Sequence, residues 1–284
     1  MDALVVAQLL NVVYGIAILA VLALGLAIVF GFLGVLNIAH GELVMLGAYS
    51  AWVVQSAGLP FPVAVPLALL ACGLLGWALE VGLIRPLYAR PFDTLLATWG
   101  VSLLLRKSAE AVWGLGYKSL TVPVPGSADV FGASYPRYRL LLILACLACV
   151  GALAVWFLRS GTGTRIKAMV ANSELAQAVG IRTDRLARNT FVAGCALAGL
   201  GGVMVAPLTP VHPFMGIDYI LESFFVLVVG GLGSLTGLLA GAGIIGGFGS
   251  IVSAISDRTA GYTTVLIIAI VFLWLRPRGL LVRP

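Results

Sequence analysis

The sequence predicts an all-α, polytopic membrane protein, and three observations carry that prediction. Of its 284 residues 61% are hydrophobic and only 10% charged, with a mean hydropathy of +1.10, which is more apolar surface than a soluble core can hide. Apolar runs close to the roughly 20 residues of a bilayer span recur along the whole length. The 35 glycines, without ten-residue alternating segments, exclude a transmembrane barrel and favour closely packed helices. Eight or nine transmembrane helices are expected, in one transmembrane domain over residues 1–284.

The first run, 9–31, follows "MDALVVAQLL", which has no basic n-region, so this span is expected to be retained rather than cleaved. The second, 35–54, begins "GVLNIAHGE" and carries Asn37, His40 and Glu42. An ionisable group at mid-bilayer costs at least about 2.5–3.5 kcal/mol on insertion scales, so His40 and Glu42 must face protein or water. Two residues apart, they point in different directions on an ideal helix. Gly31 and Gly34 precede them, which places them near the cytoplasmic end of the span. There Glu42 bonds a neighbouring helix and His40 caps backbone, or both line a pathway.

The third run covers 61–84. In the fourth, 94–114, Thr98 and Ser102 are four apart and share a face; their hydroxyls line a channel or bond back to their own helix. Arg106, Lys107 and Glu110, near its end, are expected to pair or snorkel. The fifth and sixth runs, 139–158 and 189–209, flank the longest polar stretch. The seventh and eighth, 218–230 and 237–255, are expected to be short, with discontinuous Gly-rich segments, and 261–275 ends the series. Asp218 and Glu222, four apart at the outer end of the seventh, repel one another and so face an aqueous vestibule or a cation rather than lipid.

Lys and Arg in short loops set orientation. Arg85 and Arg90, then Arg159, Arg165, Lys167, Arg182, Arg185 and Arg188, and finally Arg276, Arg278 and Arg283 mark cytoplasmic segments. The loops at 55–60 and 207–217 carry neither residue, which puts them and the N-terminus outside. The loop at 115–138 must also be external, although it holds Lys118 and Arg137. The net charge of +6 is then mostly this signature and implies no nucleic acid partner. Cys72, Cys146, Cys149 and Cys195 all fall in apolar runs and are expected to pack as small hydrophobes; no metal site is expected from Cys146 and Cys149 without a second pair or nearby histidines.

Two stretches, "VFGFLGVLN" (29–37) and "VVGGLGSLT" (228–236), share G-x-L-G-x-L, aligning Gly31, Leu33, Gly34 and Leu36 with Gly230, Leu232, Gly233 and Leu235. Both break an apolar run at the same expected depth, a candidate parallel internal repeat. The stretch 159–189 is ordered rather than linker-like. Asn172 or Ser173 can cap a short helix with Glu174 in its first turn, and Gly180 is a suitable stop. The result is a surface helix, held by anionic membrane lipid or serving as a dock for a cytoplasmic partner.

The pattern "NIAHGE", with "TWGVSLLL" (98–105), "AQAVGI" (176–181), "VVGGLGSLTG" (228–237) and "RPRGL" (276–280), resembles the LivH-type permeases of bacterial branched-chain amino acid ABC importers, close to the urea and short-chain amide (UrtB-like) branch. The resemblance covers nearly the whole chain in order. It implies an inner-membrane subunit paired with a LivM-type companion permease, two cytoplasmic ATPases that hold ATP and Mg, and an extracytoplasmic binding protein. Ser173, Glu174, Ala176, Ala178, Gly180 and Ile181 then fall in the ATPase-coupling loop, and Asn37, His40, Gly41 and Glu42 in the signature helix, with Thr98, Ser102, Asp218 and Glu222 as further substrate-pathway residues. "DYILESFF" (218–225) is nearer the acidic pattern of the urea and amide branch, which leaves the cargo open between amino acids and amides.

A Walker A loop needs G-x-x-x-x-G-K-[ST] for its backbone amides to cradle phosphate; Lys107-Ser108 and Lys118-Ser119 lack the preceding glycine. ATP hydrolysis is therefore expected in other subunits, with no cofactor in this chain. The alternative is an ion-coupled secondary transporter with Glu42, Glu80 and Asp218 as coupling sites. An intramembrane enzyme is disfavoured, since no nucleophile has an evident base in reach.

Overall fold

A computed structural model describes residues 2–88, 90–231, 233–276 and 279–280. Leu232 of the second glycine motif, and Arg278 and Arg283 of the basic tail, lie outside the described residues. Within them the chain forms eleven α-helices and one hairpin, so the expected all-α class is the class observed. The nine apolar runs correspond to α1 (Ala3–Leu33), α2 (His40–Ser56), α3 (Ala64–Leu79), α4 (Pro91–Trp113), α5 (Arg137–Arg159), α8 (Thr183–Val205), α9 (Met215–Gly230), α10 (Leu235–Ile255) and α11 (Arg258–Leu275). The polar stretch between α5 and α8 holds α6 (Gly161–Ala171) and α7 (Ser173–Ala178). Five segments, containing α1, α3, α5, α8 and α10, are both long and apolar enough to cross a membrane.

Two expectations need correction. The eighth apolar run is not short: α10 is an unbroken 21-residue helix, started by the Ser234 hydroxyl accepting from Gly237 N–H at 3.2 Å. The second helix begins at His40 rather than at 35, because Gly34 (φ 68) closes α1 with its N–H on Phe30 and turns the chain into a non-helical segment.

The centre of the molecule is α8, which packs against α1, α2 and α3. Its glycines make this possible. A Cβ on Gly202 would overlap the Val44 carbonyl of α2, and one on Gly194 would lie 2.8 Å from the Gly25 carbonyl of α1. With no hydrophobic drive between helices in lipid, such close backbone approach supplies the packing. Around it lies a core of Leu22, Leu24, Leu26, Leu43, Phe191 and Leu227, while Leu70, Leu74, Leu144 and Leu147 on α3 and α5 point outward, as a lipid-facing rim requires.

α3 ends in a π turn (Glu80–Ile84) and a 3₁₀ turn (Arg85–Leu87), where Pro86 lacks the N–H that an α-helix would use. The hairpin pairs β1 (Ser127–Val130) with β2 (Ala133–Pro136) through Phe131 and Gly132, both at positive φ, the geometry of a type I′ turn. Lys118 pairs with Val211 and Gln55 with Thr121, so the loops following α2, α4 and α8 share one end of the molecule. The two glycine motifs meet at the opposite end of α1: a Cβ on Gly31 would stand 2.9 Å from Gly233 N. The aligned Gly34 and Gly233 both have positive φ, 68° and 77°.

Candidate functional site

The site grows from the break between α1 and α2. Residues 35–38 turn back beside α1, and Asn37 organises the restart: its side-chain oxygen accepts from Ala39 N–H at 3.1 Å, while its carbonyl accepts from His40 N–H at 3.2 Å. Thr98 on α4 pins the segment from the other side. Its hydroxyl accepts from Ile38 N–H at 3.2 Å and lies 3.3 Å from the Leu36 carbonyl. A non-helical backbone at membrane depth survives only when protein satisfies its polar groups, and Thr98 supplies that.

His40 Nε2 lies 3.0 Å from the Leu22 carbonyl of α1; a carbonyl only accepts, so Nε2 carries the hydrogen. Leu22 is eleven residues from the end of α1, about 16 Å along its axis. The expectation of a site at the cytoplasmic mouth is therefore corrected: residues 35–38 are not helical, and the chain climbs back toward mid-depth before α2 begins.

Glu42 Oε1 accepts from Ser102 Oγ at 2.6 Å and from Arg106 Nη2 at 2.5 Å. Ser102 and Arg106 are successive turns of one face of α4. The Arg106 guanidinium also stacks over Phe214 at 5.6 Å, which ties α4 to the chain entering α9. Glu42 Oε2 faces Gly216 in the first turn of α9, and a Cβ on Gly41 would overlap the Gly216 carbonyl. The carboxylate thus sits at two helix N-termini, its own and that of α9, where the helix dipole favours negative charge.

The structure buries Asn37, His40, Glu42, Thr98 and Ser102 around the restart of α2, a cluster in which Glu42 accepts from Ser102 and Thr98 from Ile38 N–H while the His40 ring turns away to α1. In it Asn37 Nδ2, Glu42 Oε2 and Arg106 Nε have no hydrogen-bond partner among the described residues. Arg106 was expected from sequence to pair or snorkel, and it pairs with Glu42; its spacing of four from Ser102 was the signal that it belongs to this cluster. Asp218 and Glu222 are not part of the cluster. Asp218 is exposed on α9, and Glu222 lines a separate cavity.

The residues expected to couple to ATPases stand apart as well. Asn172 Oδ1 caps α7 by accepting from Leu175 N–H at 2.9 Å, and Gly180 (φ 87) ends the turn while Ile181 N–H reaches the Ala176 carbonyl. Ala176 is buried and Ile181 half-buried; Ser173, Glu174, Ala178 and Gly180 are exposed. Leu175 and Val179, 62% and 71% exposed, present an uncovered apolar edge.

Comparison with known proteins agrees with this architecture. A family profile described as branched-chain amino acid transport system, permease component, matches residues 8–275. The high-affinity branched-chain amino acid transport system permease protein LivH of Salmonella typhimurium is 26% identical over 283 residues, covering 93% of this chain and 91% of its own. BraD of Pseudomonas aeruginosa, a permease protein of the same description, is 26% identical over 93% of this chain and 92% of its own. Among solved structures, PsaBC from Streptococcus pneumoniae in complex with Fab has a TM-score of 0.53 at 12% identity, covering 94% of this chain and 90% of that one; it speaks for the fold alone. A profile match over nearly the full length, on a helical membrane architecture, makes this chain a member of the branched-chain amino acid transport system permease family.

Proposed function

We propose that this chain forms half of the translocation pathway of an ATP-driven importer, paired with a LivM-type companion permease. Two cytoplasmic ATPases, which hold ATP and Mg, engage α6 and α7, and an extracytoplasmic binding protein delivers the solute at the opposite face. The N-terminus is outside and the C-terminus cytoplasmic, as the distribution of Lys and Arg requires. The observation that carries the reading is the pairing of a buried mid-depth polar cluster with a capped surface helix whose Leu175 and Val179 are uncovered. Within the cluster, Asn37, Glu42, Thr98 and Ser102 form the polar face the solute meets when α2 and α4 part, the unpartnered atoms of Asn37 and Glu42 would serve that contact, and His40 holds α2 to α1 beside it.

The cargo is a branched-chain amino acid, the class for which LivH and BraD are named. Urea and short-chain amides stand as the competing cargo on the "DYILESFF" stretch alone. An ion-coupled transporter is less well supported, because a coupling carboxylate must exchange its ion and Glu42 is held by Arg106 and Ser102. The test is ATP hydrolysis by the complete reconstituted complex with candidate binding proteins. Stimulation by leucine, isoleucine or valine supports the reading; stimulation only by urea or acetamide reassigns the cargo.

A further inference from the structure

A cavity of about 350 Å³ lies where the end of α3 meets the turn between α7 and α8, away from the polar cluster. Its charged lining is four guanidiniums, Arg85, Arg182, Arg185 and Arg188, against two carboxylates, Glu80 and Asp184. Two of the four are engaged. Arg85 pairs with Asp184 at 2.7 Å, and Arg188 balances the buried Glu80. Arg182 and Arg185 have no carboxylate in salt-bridge range among the described residues. Three residues apart at the start of α8, they lie on one side of its first turn, about 5–6 Å apart at Cβ, and both are exposed. An apolar stripe leads to them. Leu70, Leu74, Trp77 and Val81, at spacings of three and four, are 40–66% exposed along one side of α3. Arg85, four residues further on and also exposed, is a wall of the cavity. Gln177 and Ile181 line the side toward α7, where Gln177 Nε2 donates to Thr183 Oγ1 at 2.8 Å.

We infer that this cavity holds the headgroup of an anionic phospholipid of the cytoplasmic leaflet, with Arg182 and Arg185 taking the phosphate oxygens and the acyl chains lying along the α3 stripe. The choice of leaflet rests on the orientation proposed above. A planar guanidinium matches phosphate oxygens bidentately, and basic pockets at the cytoplasmic ends of spans draw anionic headgroups. The volume lies within the roughly 300–1,000 Å³ of small-ligand sites. The stripe that runs to the cavity favours a ligand with acyl chains over a soluble phosphate or an acidic side chain of an ATPase. A lipid held there ties the end of α3 to the turn that follows α7, so the composition of the leaflet bears on coupling.

The test uses the complete complex in phosphatidylcholine nanodiscs that contain brominated-chain phosphatidylglycerol or, in parallel, brominated-chain phosphatidylcholine, both of which quench nearby indoles. The difference between the native protein and Trp77→Phe isolates Trp77 on the stripe. Brominated phosphatidylglycerol should quench Trp77 at a lower mole fraction than brominated phosphatidylcholine, by roughly fivefold for each unmatched guanidinium. Arg182→Gln and Arg185→Gln should each remove about one such factor and together abolish the preference. Arg159→Gln, at an exposed site outside the cavity, should retain it. Equal quenching by the two lipids, no quenching of Trp77 by either, or the same loss in Arg159→Gln would overturn the site. So would millimolar phosphate erasing the preference at constant ionic strength, which assigns the arginines to the free ion. Loss of the ATPases from the double variant in pure phosphatidylcholine would overturn it too, by assigning the arginines to the ATPase. The quenching needs neither cargo nor ATP. Failure of the importer reading shows separately, as absence of ATP-driven leucine uptake by the same complex.

Discussion

Replacing Arg106 with Met removes the guanidinium 2.5 Å from Glu42 Oε1 and leaves a carboxylate whose side chain is 2% exposed with Ser102 as its remaining partner. Breaking a buried pair from one side costs about 3–5 kcal/mol, because the surviving charge stays out of water without its counterion. Insertion scales agree, at about 2.5–3.5 kcal/mol for a lone ionised group at mid-span. With each kcal/mol worth about 2–4 °C in a chain of comparable size, Arg106→Met should lower the thermal midpoint by roughly 10 °C. The double variant Glu42→Gln, Arg106→Met removes both charges, and its amide keeps the volume of Glu42 and can accept from Ser102. It should recover most of that loss. Tryptophan-fluorescence melting of the purified complex compares wild type, Arg106→Met, Glu42→Gln and the double variant. If the double variant melts as low as Arg106→Met, or the two single losses simply add, the carboxylate is not held by this guanidinium and the account of the cluster is wrong.

Gly202→Val should destabilise the bundle by at least about 1–3 kcal/mol, since its Cβ would overlap the Val44 carbonyl; Gly100→Ala, with nothing within 4 Å of the added carbon, should leave melting unchanged or raise it slightly. Gly180→Leu forces a side chain onto φ 87 at the end of the α7 turn, and should leave expression intact while separating ATP hydrolysis from uptake. His212, in the loop between α8 and α9, has its pKa pushed below 6.5 by burial, against a smaller opposing effect from Asp218. Its contribution to stability is therefore present above the unfolded pKa and lost as pH falls through the folded one, when Nδ1 can no longer accept from Phe214 N–H. The melting temperature should drop as pH falls below the ordinary histidine value of about 6.5, and His212→Asn should flatten that slope.

What the sequence made legible was local. Asn172 before a short helix and Gly180 after it announce α7 because capping and left-handed stops are decided within a turn or two. Thr98 and Ser102 were placed on one face by spacing alone, and both lie in the cluster. The same spacing said less about Asp218 and Glu222: four apart on α9, one is exposed and the other lines a cavity made with α1 and α10, since what a helix face meets is a tertiary matter. The partner of Glu42 lies 64 residues away, beyond any periodicity. His40 was placed near the cytoplasmic end because Gly31 and Gly34 precede it, whereas the non-helical residues 35–38 carry the chain back to the level of Leu22. α6 went unread since its cap, Ser160, precedes glycines that look like a loop, and the hairpin since each strand is four residues long.

The most direct measurement is uptake of labelled leucine into proteoliposomes, comparing the complete complex supplied with binding protein and ATP against this chain alone under proton and sodium gradients. Accumulation by the complete complex, abolished without ATP and absent from the single chain, is the result predicted here. Accumulation by the chain alone, driven by an ion gradient, would contradict the importer account and make Glu42, Glu80 and Asp218 the coupling groups to examine.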